Sequence, residues 1–534
     1  MIAGRRLPGP ELGRWLLPLA LPMIVALYAV QGFYFARTVV PAQDAVQYLL
    51  VGGKVVRGEI GVYDDGLPGN RAPLPFYVLG LTQVLAGPSL RAARWLNVGV
   101  GVLTLLLMTA LCRRLAGEAA ALLAALFLAT QGVVVAYYSY EGYPAFAAFC
   151  FTLALYVLLG EDSRLRRVVG AALVGLLFFV RSNLWPVIPF LLGYALWRAR
   201  GKAERILLTL VVTAPPLVYL AWDVSHLKIL AYVPVARGWV ARLGYVSALV
   251  LDDRETLALP AQVWRIAQLA RRYEFWALAI LLLLAVMVWR LATGRFHWNG
   301  ARRPELAVMA ALLVFVTIVH LVLYSWDWKW LGFYLLSHAT LVPILLGVGY
   351  AELLATSAPG TWRRRLLVAA LVVVLVPPLY FVRNPLLPIG EMKARRPYAA
   401  VHAAAAHLRR VVPHDARVFF YGLNPVYYLS GLPATYLQQV YYLDPYPQVE
   451  ASEWVVRRMG FVSSSNMRRW LSTEADWAVI DETWLEVRRR TPGLHDPEGQ
   501  MAALLARYFE VVDTIAEYPY SRYVVYTRRA RPGG

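Results

Sequence analysis

The sequence contains very few cysteines and few charged residues. Only Cys112 and Cys150 occur, both in or beside strongly apolar segments, so neither a disulfide framework nor a thiolate metal site is expected. Charged residues make up 16% of the 534 residues, hydrophobic residues make up 59%, and the mean hydropathy is +0.51. Because a soluble protein of this length is rarely so apolar, the composition predicts an α-helical polytopic membrane protein.

The chain also lacks internal repeats. Neither a repeated segment nor a matching pair of interrupted hydrophobic segments occurs in its two halves. Such pairs are typical of secondary transporters, so their absence argues against that class.

The chain does contain many apolar runs. A membrane-spanning helix needs about 20 apolar residues, and about eleven runs approach that length. They lie near residues 15–37, 95–112, 118–138, 143–160, 168–182, 184–197, 206–223, 274–291, 306–324, 331–354 and 366–382. The first run is too long for a signal peptide and has no clear cleavage site, so it is interpreted as a retained anchor.

Acidic residues are outnumbered by basic ones, 33 against 53, which gives a net charge of +20. In a soluble protein this excess would suggest nucleic acid, but here the arginines cluster in alternate short connections between apolar runs. That distribution matches the positive-inside rule if the N-terminus is cytoplasmic. No nucleic-acid partner is therefore predicted. Asp44, Glu141, the 225–272 loop and the C-terminal segment are placed outside the cytoplasm.

Two domains are predicted. Residues 1–383 form a transmembrane bundle with a long first outer loop at 37–94, and residues 384–534, where long apolar runs cease, form a soluble domain. In the second part, β-rich runs at 416–421, 476–480, 509–512 and 523–528 alternate with helical stretches at 397–411 and 499–508. This alternation predicts a small α/β domain.

The first outer loop contains the most informative motif of the chain. Asp44 is followed one helical turn later by Tyr48, then by Gly58, Tyr63 and the run 71-RAPLPFY-77. This pattern resembles the corresponding loop of the GT-C superfamily, the membrane glycosyltransferases that use polyprenyl-phosphate-linked sugars. Similar loops occur in protein O-mannosyltransferases and in the aminoarabinose transferases of lipid A modification.

The resemblance extends along nearly the whole chain. Glu141, in 138-YSYEGYPAF-146, matches an acidic residue that the family has before an apolar helix. The segment 330-WLGFYLLSHATLVPILLG-347 is similar to a helix of these enzymes, with Tyr334 and His338 on one face. Two positions differ from the family: Ala45 stands where many relatives have a second acid, and Phe333 replaces the usual arginine.

The resemblance implies a role for each of these residues. Asp44 would be the general base that removes the proton of an acceptor hydroxyl, with Tyr48 nearby. The departing lipid phosphate would be stabilised by a basic residue, for which Arg71 matches the family and Arg181 and Lys329 are further candidates. Glu141, Tyr334 and His338 would contact substrate. Direct displacement of the phosphate would invert the anomeric carbon.

Each candidate also has a purely structural interpretation. Asp44 follows Pro41 and suits a helix start, Arg71 suits a lipid headgroup contact, and Glu141 suits an interfacial belt. Arg181 suits a snorkelling side chain, Lys329 an interfacial anchor paired with Asp327, and His338 a buried hydrogen-bonded histidine.

The sequence therefore predicts an inverting glycosyltransferase in the bacterial inner or plasma membrane, with its C-terminal domain outside the cytoplasm. It would move a sugar from a polyprenyl-phosphate donor to a hydroxyl of a lipid, glycan or protein. No cofactor is predicted, and no spacing supports a divalent metal site. Two alternatives remain: a lipid-linked glycan ligase that depends on arginine and histidine, and a non-enzymatic lipid-sugar flippase or binding protein.

Overall fold

The computed structural model describes residues 10–39, 41, 43–62, 72–160, 163–223, 226–227, 230, 259–271, 274–293, 304–323, 336–358, 360–381, 395–422, 424–432, 434–439, 464–483, 500–516 and 522–530. Chain contacts divide the protein into two compact units. Residues 1–37, 94–216 and 254–389 form what we call the helical unit, and residues 38–93, 217–253 and 390–534 form the mixed unit. The predicted boundary at 383 stays a prediction; these units place residues 38–93 with the C-terminal segment.

The first part of the chain is mostly helical. Its helices are α1 (Pro10–Thr38), α2 (Gln43–Val56), α3 (Leu74–Leu85), α4 (Leu90–Ala116), α5 (Glu118–Ala129), α6 (Gly132–Tyr137), α7 (Pro144–Leu158), α8 (Arg164–Val180), α9 (Val187–Arg198), α10 (Lys202–Trp222), α11 (Leu259–Arg271), α12 (Ala277–Ala292), α13 (Pro304–Leu323), α14 (His338–Ala355) and α15 (Trp362–Phe381). A short 3-10 helix, Ser182–Leu184, precedes α9.

Four helices in the described ranges are long and apolar enough to cross a membrane: Pro18–Thr38, Leu90–Ala116, Lys202–Trp222 and His338–Ala355. Several other apolar helices are shorter, so the count of about eleven spans is not confirmed. One reason is that a continuous apolar run can contain a backbone break. The run 118–138 ends its first helix at Ala129 and resumes at Gly132, because residues 130 and 131 form a turn.

Helix α14 lies at the centre of the helical unit. Thr340 shares a 2.7 Å hydrogen bond with Thr152 of α7, and Tyr350 donates to the Ala279 carbonyl of α12 at 3.1 Å. Gly347 faces α5 so closely that a β-carbon there would lie 2.7 Å from the Ala124 nitrogen. Small residues at this crossing let two backbones approach, which is a common packing mode between membrane helices.

The mixed unit contains a five-stranded sheet. Its elements are α16 (Arg395–Val411), β1 (Val418–Gly422), α17 (Asn424–Ser430), β2 (Ala434–Gln439), α18 (Ser464–Arg469), β3 (Trp477–Asp481), α19 (Gln500–Tyr508), β4 (Phe509–Ile515) and β5 (Tyr523–Arg528). The strand order is β2-β1-β3-β5-β4; β1 runs parallel to β2 and β3, and β5 runs antiparallel to β3 and β4. The four predicted strands of the C-terminal part are present, and β2 is a further strand that the pattern did not predict.

Both faces of this sheet are covered. Alternate residues of β1 point to opposite sides, so Val418 and Phe420 join a core with α16 and α17, whereas Phe419 and Tyr421 join a second core with α19. Helix α16 buries one stripe, Val401, Ala404, Ala405 and Leu408, at the spacing of an amphipathic helix. Burial on both sides explains why β1 is a continuous apolar run.

Helices α2 and α3 also belong to the mixed unit and cross backbone to backbone. A β-carbon on Gly52 would lie 2.9 Å from the Gly80 Cα and closer still to the Phe76 carbonyl. The pair is fastened to the C-terminal part of the unit, because Tyr428 of α17 donates a 2.5 Å hydrogen bond to Gln83 of α3 and Leu50 packs against the α16–α17 core. Helices α2 and α3 thus pack with the sheet-containing part.

Candidate functional site

Helix α2 carries the predicted base. Asp44 is its second residue, in the first turn, where the exposed backbone N–H groups favour a negative charge. The side chain of Asp44 lies outside the described residues, so its proposed role remains a prediction. The position agrees equally with the structural interpretation of an acidic residue at a helix start.

Tyr48, one turn after Asp44, packs against α3. Its side chain is buried, and its ring centroid lies 4.6 Å from that of Phe76 at an interplanar angle of 41°. Together with the close approach of Gly52 to α3, this contact defines the side of α2 that faces its neighbour. Tyr48 therefore fixes the orientation of the helix that contains Asp44.

Gln47 is a functional candidate that the sequence analysis missed. It is only 1% exposed, and neither amide atom, Oε1 or Nε2, has a hydrogen-bond partner in the described part of the chain. Buried amides are normally satisfied, so this residue requires an explanation. No local pattern in the sequence distinguishes it from other polar residues of a helix.

In the helical unit, Glu141 is part of a buried ion pair. Arg94 Nε donates to Glu141 Oε2 at 2.7 Å, and both side chains are 0% exposed. Arg94 Nη1 also donates to the Ala36 carbonyl oxygen at 2.9 Å, so this arginine joins α1, α4 and the turn before α7. Sequence reasoning missed Arg94, although a charged residue within an apolar helix is itself an indication of a special role.

The turn that contains Glu141 is held from a second point. Asn97, one turn after Arg94 on α4, donates from Nδ2 to the carbonyl oxygens of Tyr140 and Gly142, at 2.5 Å and 2.7 Å. A side chain at Gly142 would collide with the Tyr140 ring. Residues 138–143 are therefore a fixed turn, and Glu141 is one of its anchors.

Arg181 lies beside the same turn. Its guanidinium carbon is 4.1 Å from the centroid of the Tyr143 ring, which is the geometry of a cation–π contact. Helix α8 ends at Val180, and Arg181 has an extended backbone before the 3-10 helix that begins at Ser182. The structure thus brings Arg181 and the Glu141 turn together through Tyr143.

His338 is the first residue of α14 and is mostly buried. Its Nε2 shares a 2.9 Å hydrogen bond with Thr317 Oγ1 of α13. This agrees with the interpretation of a buried hydrogen-bonded histidine. Arg71, Lys329 and Tyr334 lie outside the described residues.

The absence of a metal cofactor stays a prediction. Among the described residues no group of three histidine, cysteine, aspartate or glutamate side chains is arranged to hold one. Glu141, the acid that matches the family pattern, already has its charge balanced by Arg94.

The sequence of residues 70–222 matches the family described as dolichyl-phosphate-mannose-protein mannosyltransferase. No curated protein sequence matches the chain significantly. The matched segment begins one residue before Arg71 and includes Glu141 and Arg181.

The fold resembles that of a solved protein over nearly the whole length of both chains. ArnT from Cupriavidus metallidurans bound to undecaprenyl phosphate aligns with a TM-score of 0.61 at 15% identity, over 98% of this chain and 99% of that one. Its apo structure aligns with a TM-score of 0.59 at 13% identity. The oligosaccharyltransferase AglB from Archaeoglobus fulgidus aligns more weakly, with a TM-score of 0.46 over 73% of its length. The predicted resemblance is confirmed in fold by ArnT and, over residues 70–222, in sequence by the mannosyltransferase family.

Proposed function

We propose that this protein is an inverting membrane glycosyltransferase that moves a sugar from a polyprenyl-phosphate carrier to an acceptor hydroxyl outside the cytoplasm. The observation that supports this most strongly is the similarity in fold to ArnT, which extends over nearly the whole of both chains and includes a structure with undecaprenyl phosphate bound. The family match over residues 70–222 supports the same class of donor.

Asp44 is the proposed general base. A hydroxyl must lose its proton as it attacks the anomeric carbon, and a positioned carboxylate that accepts this proton contributes about 10²–10⁴ in rate. Asp44 suits the task by its place in the first turn of α2, a helix braced by the Tyr48–Phe76 contact and the crossing of Gly52 with Gly80. Attack from the side opposite the phosphate inverts the anomeric carbon, and no glycosyl-enzyme intermediate is required.

The donor phosphate requires a cation as its negative charge grows. Arg71, Arg181 and Lys329 are the proposed partners, and Arg181 is the one whose surroundings are described. Its contact with the Tyr143 ring holds a permanently charged guanidinium beside the turn that contains Glu141.

Glu141, Tyr334 and His338 remain proposed substrate contacts, as does Tyr48. For Glu141 the pair with Arg94 supports an indirect role, because a carboxylate already engaged by a guanidinium at 2.7 Å contributes mainly by holding the 138–143 turn. The acceptor is proposed to be a lipid, a cell-envelope glycan or a protein.

The test is the substitution Asp44→Asn in the full-length protein reconstituted in vesicles. Undecaprenyl phosphates carrying mannose or aminoarabinose serve as donor probes, and lipid, glycan and protein fractions of a bacterial envelope serve as acceptors. Release of undecaprenyl phosphate and transfer of labelled sugar are measured by mass spectrometry. We expect transfer by the variant to fall by about 10²–10⁴, with donor binding nearly unchanged.

Glu59→Gln is the matched control. Glu59 is an exposed acid of the same outer segment, paired with Arg57 at 2.5 Å, and its substitution is expected to leave transfer intact. Wild-type turnover by Asp44→Asn would contradict the assignment of the base. Loss of transfer in Arg71, Arg181 or His338 variants with an active Asp44→Asn would favour a ligase, and donor movement across vesicles without any acceptor would favour a flippase.

A further inference from the structure

Gln47 is buried in α2 with both of its hydrogen-bonding atoms unused. Its side chain is 1% exposed, and neither Oε1 nor Nε2 has a partner in the described ranges. An amide in that state has lost its hydration without replacing it, and this opposes folding. Native proteins seldom keep such a group unless it has another use.

A second buried glutamine in the same unit shows the usual arrangement. Gln83 of α3 is 5% exposed, and its Oε1 accepts hydrogen bonds from the Ser89 N–H at 3.0 Å and from the Tyr428 hydroxyl at 2.5 Å. Its Nε2 donates to Thr82 Oγ1 at 2.8 Å and to the Ser89 carbonyl at 3.2 Å. Both ends of the Gln83 amide are thus hydrogen-bonded within the protein, whereas neither end of the Gln47 amide is bonded to any described residue.

The position of Gln47 on α2 relates it to the proposed base. Residues three apart on a helix share one side, so Gln47 lies on the same side of α2 as Asp44. Tyr48, four residues after Asp44, faces α3 and lies about a quarter turn from Gln47. Position 44 is thus between Tyr48 and Gln47 around the helix, so a hydroxyl that reacts at Asp44 comes within one helical turn of the Gln47 position.

The chemistry of the amide limits what it can bind. Gln47 offers two N–H donors and one carbonyl acceptor, and it carries no charge. A phosphate oxygen only accepts hydrogen bonds, so it would leave the carbonyl oxygen unpaired. A hydroxyl both donates and accepts, and one hydroxyl or two neighbouring hydroxyls can satisfy both ends of the amide.

We propose that the Gln47 amide binds a sugar or acceptor hydroxyl in the site served by Asp44, and that its hydrogen-bonding groups stay unpaired until substrate arrives. This inference rests on the proposed glycosyltransferase function. It identifies a substrate-binding residue that the sequence pattern did not indicate. Because the bonds are made only with substrate, removing the amide weakens binding without weakening the fold.

The substitution Gln47→Met tests this, since methionine has a similar length and no strong hydrogen-bonding group. In reconstituted full-length protein with undecaprenyl-phosphate-linked sugar as donor, we expect kcat/KM to fall about 10-fold to 100-fold, the usual consequence of losing one or two substrate hydrogen bonds. The thermal denaturation midpoint should stay equal to that of the wild type or rise. A higher KM for the donor places the hydroxyl on the donor sugar, and a higher KM for the acceptor places it on the acceptor.

Gln83→Met is the matched control. The same chemical change there removes four hydrogen bonds within the protein, so the midpoint should fall while kcat/KM at low temperature stays near that of the wild type. Opposite responses of the two variants would support the proposal.

Unchanged kinetics in Gln47→Met, or a midpoint that falls as it does in Gln83→Met, would overturn it. If the proposed glycosyltransferase function is itself wrong, the result differs: the wild type then transfers no sugar from any donor probe.

Discussion

Arg94 and Glu141 form an ion pair that is removed from solvent, with Arg94 Nε 2.7 Å from Glu141 Oε2. The arginine comes from α4 and the glutamate from the turn between α6 and α7. Since Arg94 also donates to the Ala36 carbonyl, one guanidinium connects three parts of the helical unit. The pair gives Glu141 a structural task that its position in the sequence did not reveal.

Removing one member of this pair is expected to be costly. Arg94→Met leaves the Glu141 charge buried without its guanidinium, and breaking such a pair typically destabilises a protein by about 3–5 kcal/mol. We expect a large fall in the thermal denaturation midpoint of the purified protein. Tryptophan fluorescence during heating in detergent measures it.

The control is Arg469→Met, which breaks the exposed pair of Arg469 with Glu474 and should change the midpoint little. The double variant Arg94→Met with Glu141→Met should be more stable than Arg94→Met alone, because no buried charge remains. A double variant less stable than the single one would show that the charge of Glu141 is not the cause.

The close contact of Gly52 with Gly80 leaves no room for a side chain at either position. In Gly80→Ala the new β-carbon would overlap the Gly52 carbonyl group, so α2 and α3 must separate, and overpacking of this kind costs about 1–3 kcal/mol. The thermal midpoint should fall, and Gly52→Ala should have a similar effect. Because both substitutions disturb the same contact, the loss of stability in the double variant should be smaller than the sum of the two single losses.

Gly99→Ala is the control for this prediction. Gly99 lies within α4 with open space around its missing β-carbon, so alanine there should leave stability unchanged or raise it by about 0.5–1 kcal/mol through helix propensity. Equal midpoints for Gly80→Ala and Gly99→Ala would contradict the close crossing.

The mixed unit should lose stability in acid. The backbone N–H of Thr514 and the side chain of His407, whose Nε2 is 2.9 Å from Asp513 Oδ2, hold the pKa of the Asp513 carboxyl below its usual value. A depressed pKa in the folded state stabilises the protein above the unfolded pKa of about 3.9, and this contribution disappears as the pH falls through the folded value. Acid should therefore loosen β4 in the wild type.

Hydrogen exchange measured by mass spectrometry on β4 peptides tests this, with correction for the intrinsic pH dependence of exchange. Asp513→Asn should exchange faster at neutral pH and depend less on pH in the acid range. Glu510→Gln, an exposed change on the same strand, should behave as the wild type does. Identical acid profiles for the wild type and Asp513→Asn would refute the prediction.

Much of the mixed unit could be predicted from the sequence. The runs 416–421, 476–480, 509–512 and 523–528 became β1, β3, β4 and β5, and the stretches 397–411 and 499–508 became α16 and α19. Alternation and helical spacing are local properties, so they can be recognised without neighbours. β2 was not predicted because it becomes a strand through parallel pairing with β1. Helix α17 separates these two strands along the chain.

The site was predicted less completely. The motif around Asp44 indicated a fold that the comparison with ArnT supports, but it did not indicate Arg94 or Gln47. Arg94 pairs with a residue 47 positions away, and a local pattern contains no information on such a partner. Gln47 looks like any other polar residue of a helix until its burial and its lack of partners are known.

The sequence by itself determined that this is a helical membrane protein with a C-terminal α/β part and a candidate base after its first apolar run. Those conclusions follow from hydropathy, alternation and motif spacing, all of which are local properties of the sequence. Only the tertiary structure decided that Glu141 is neutralised by Arg94, that α2 and α3 touch at Gly52 and Gly80, and that Gln47 is buried with its hydrogen bonds unmade. Partner, distance and burial are properties of packing between distant segments, and packing exists only once the chain has folded.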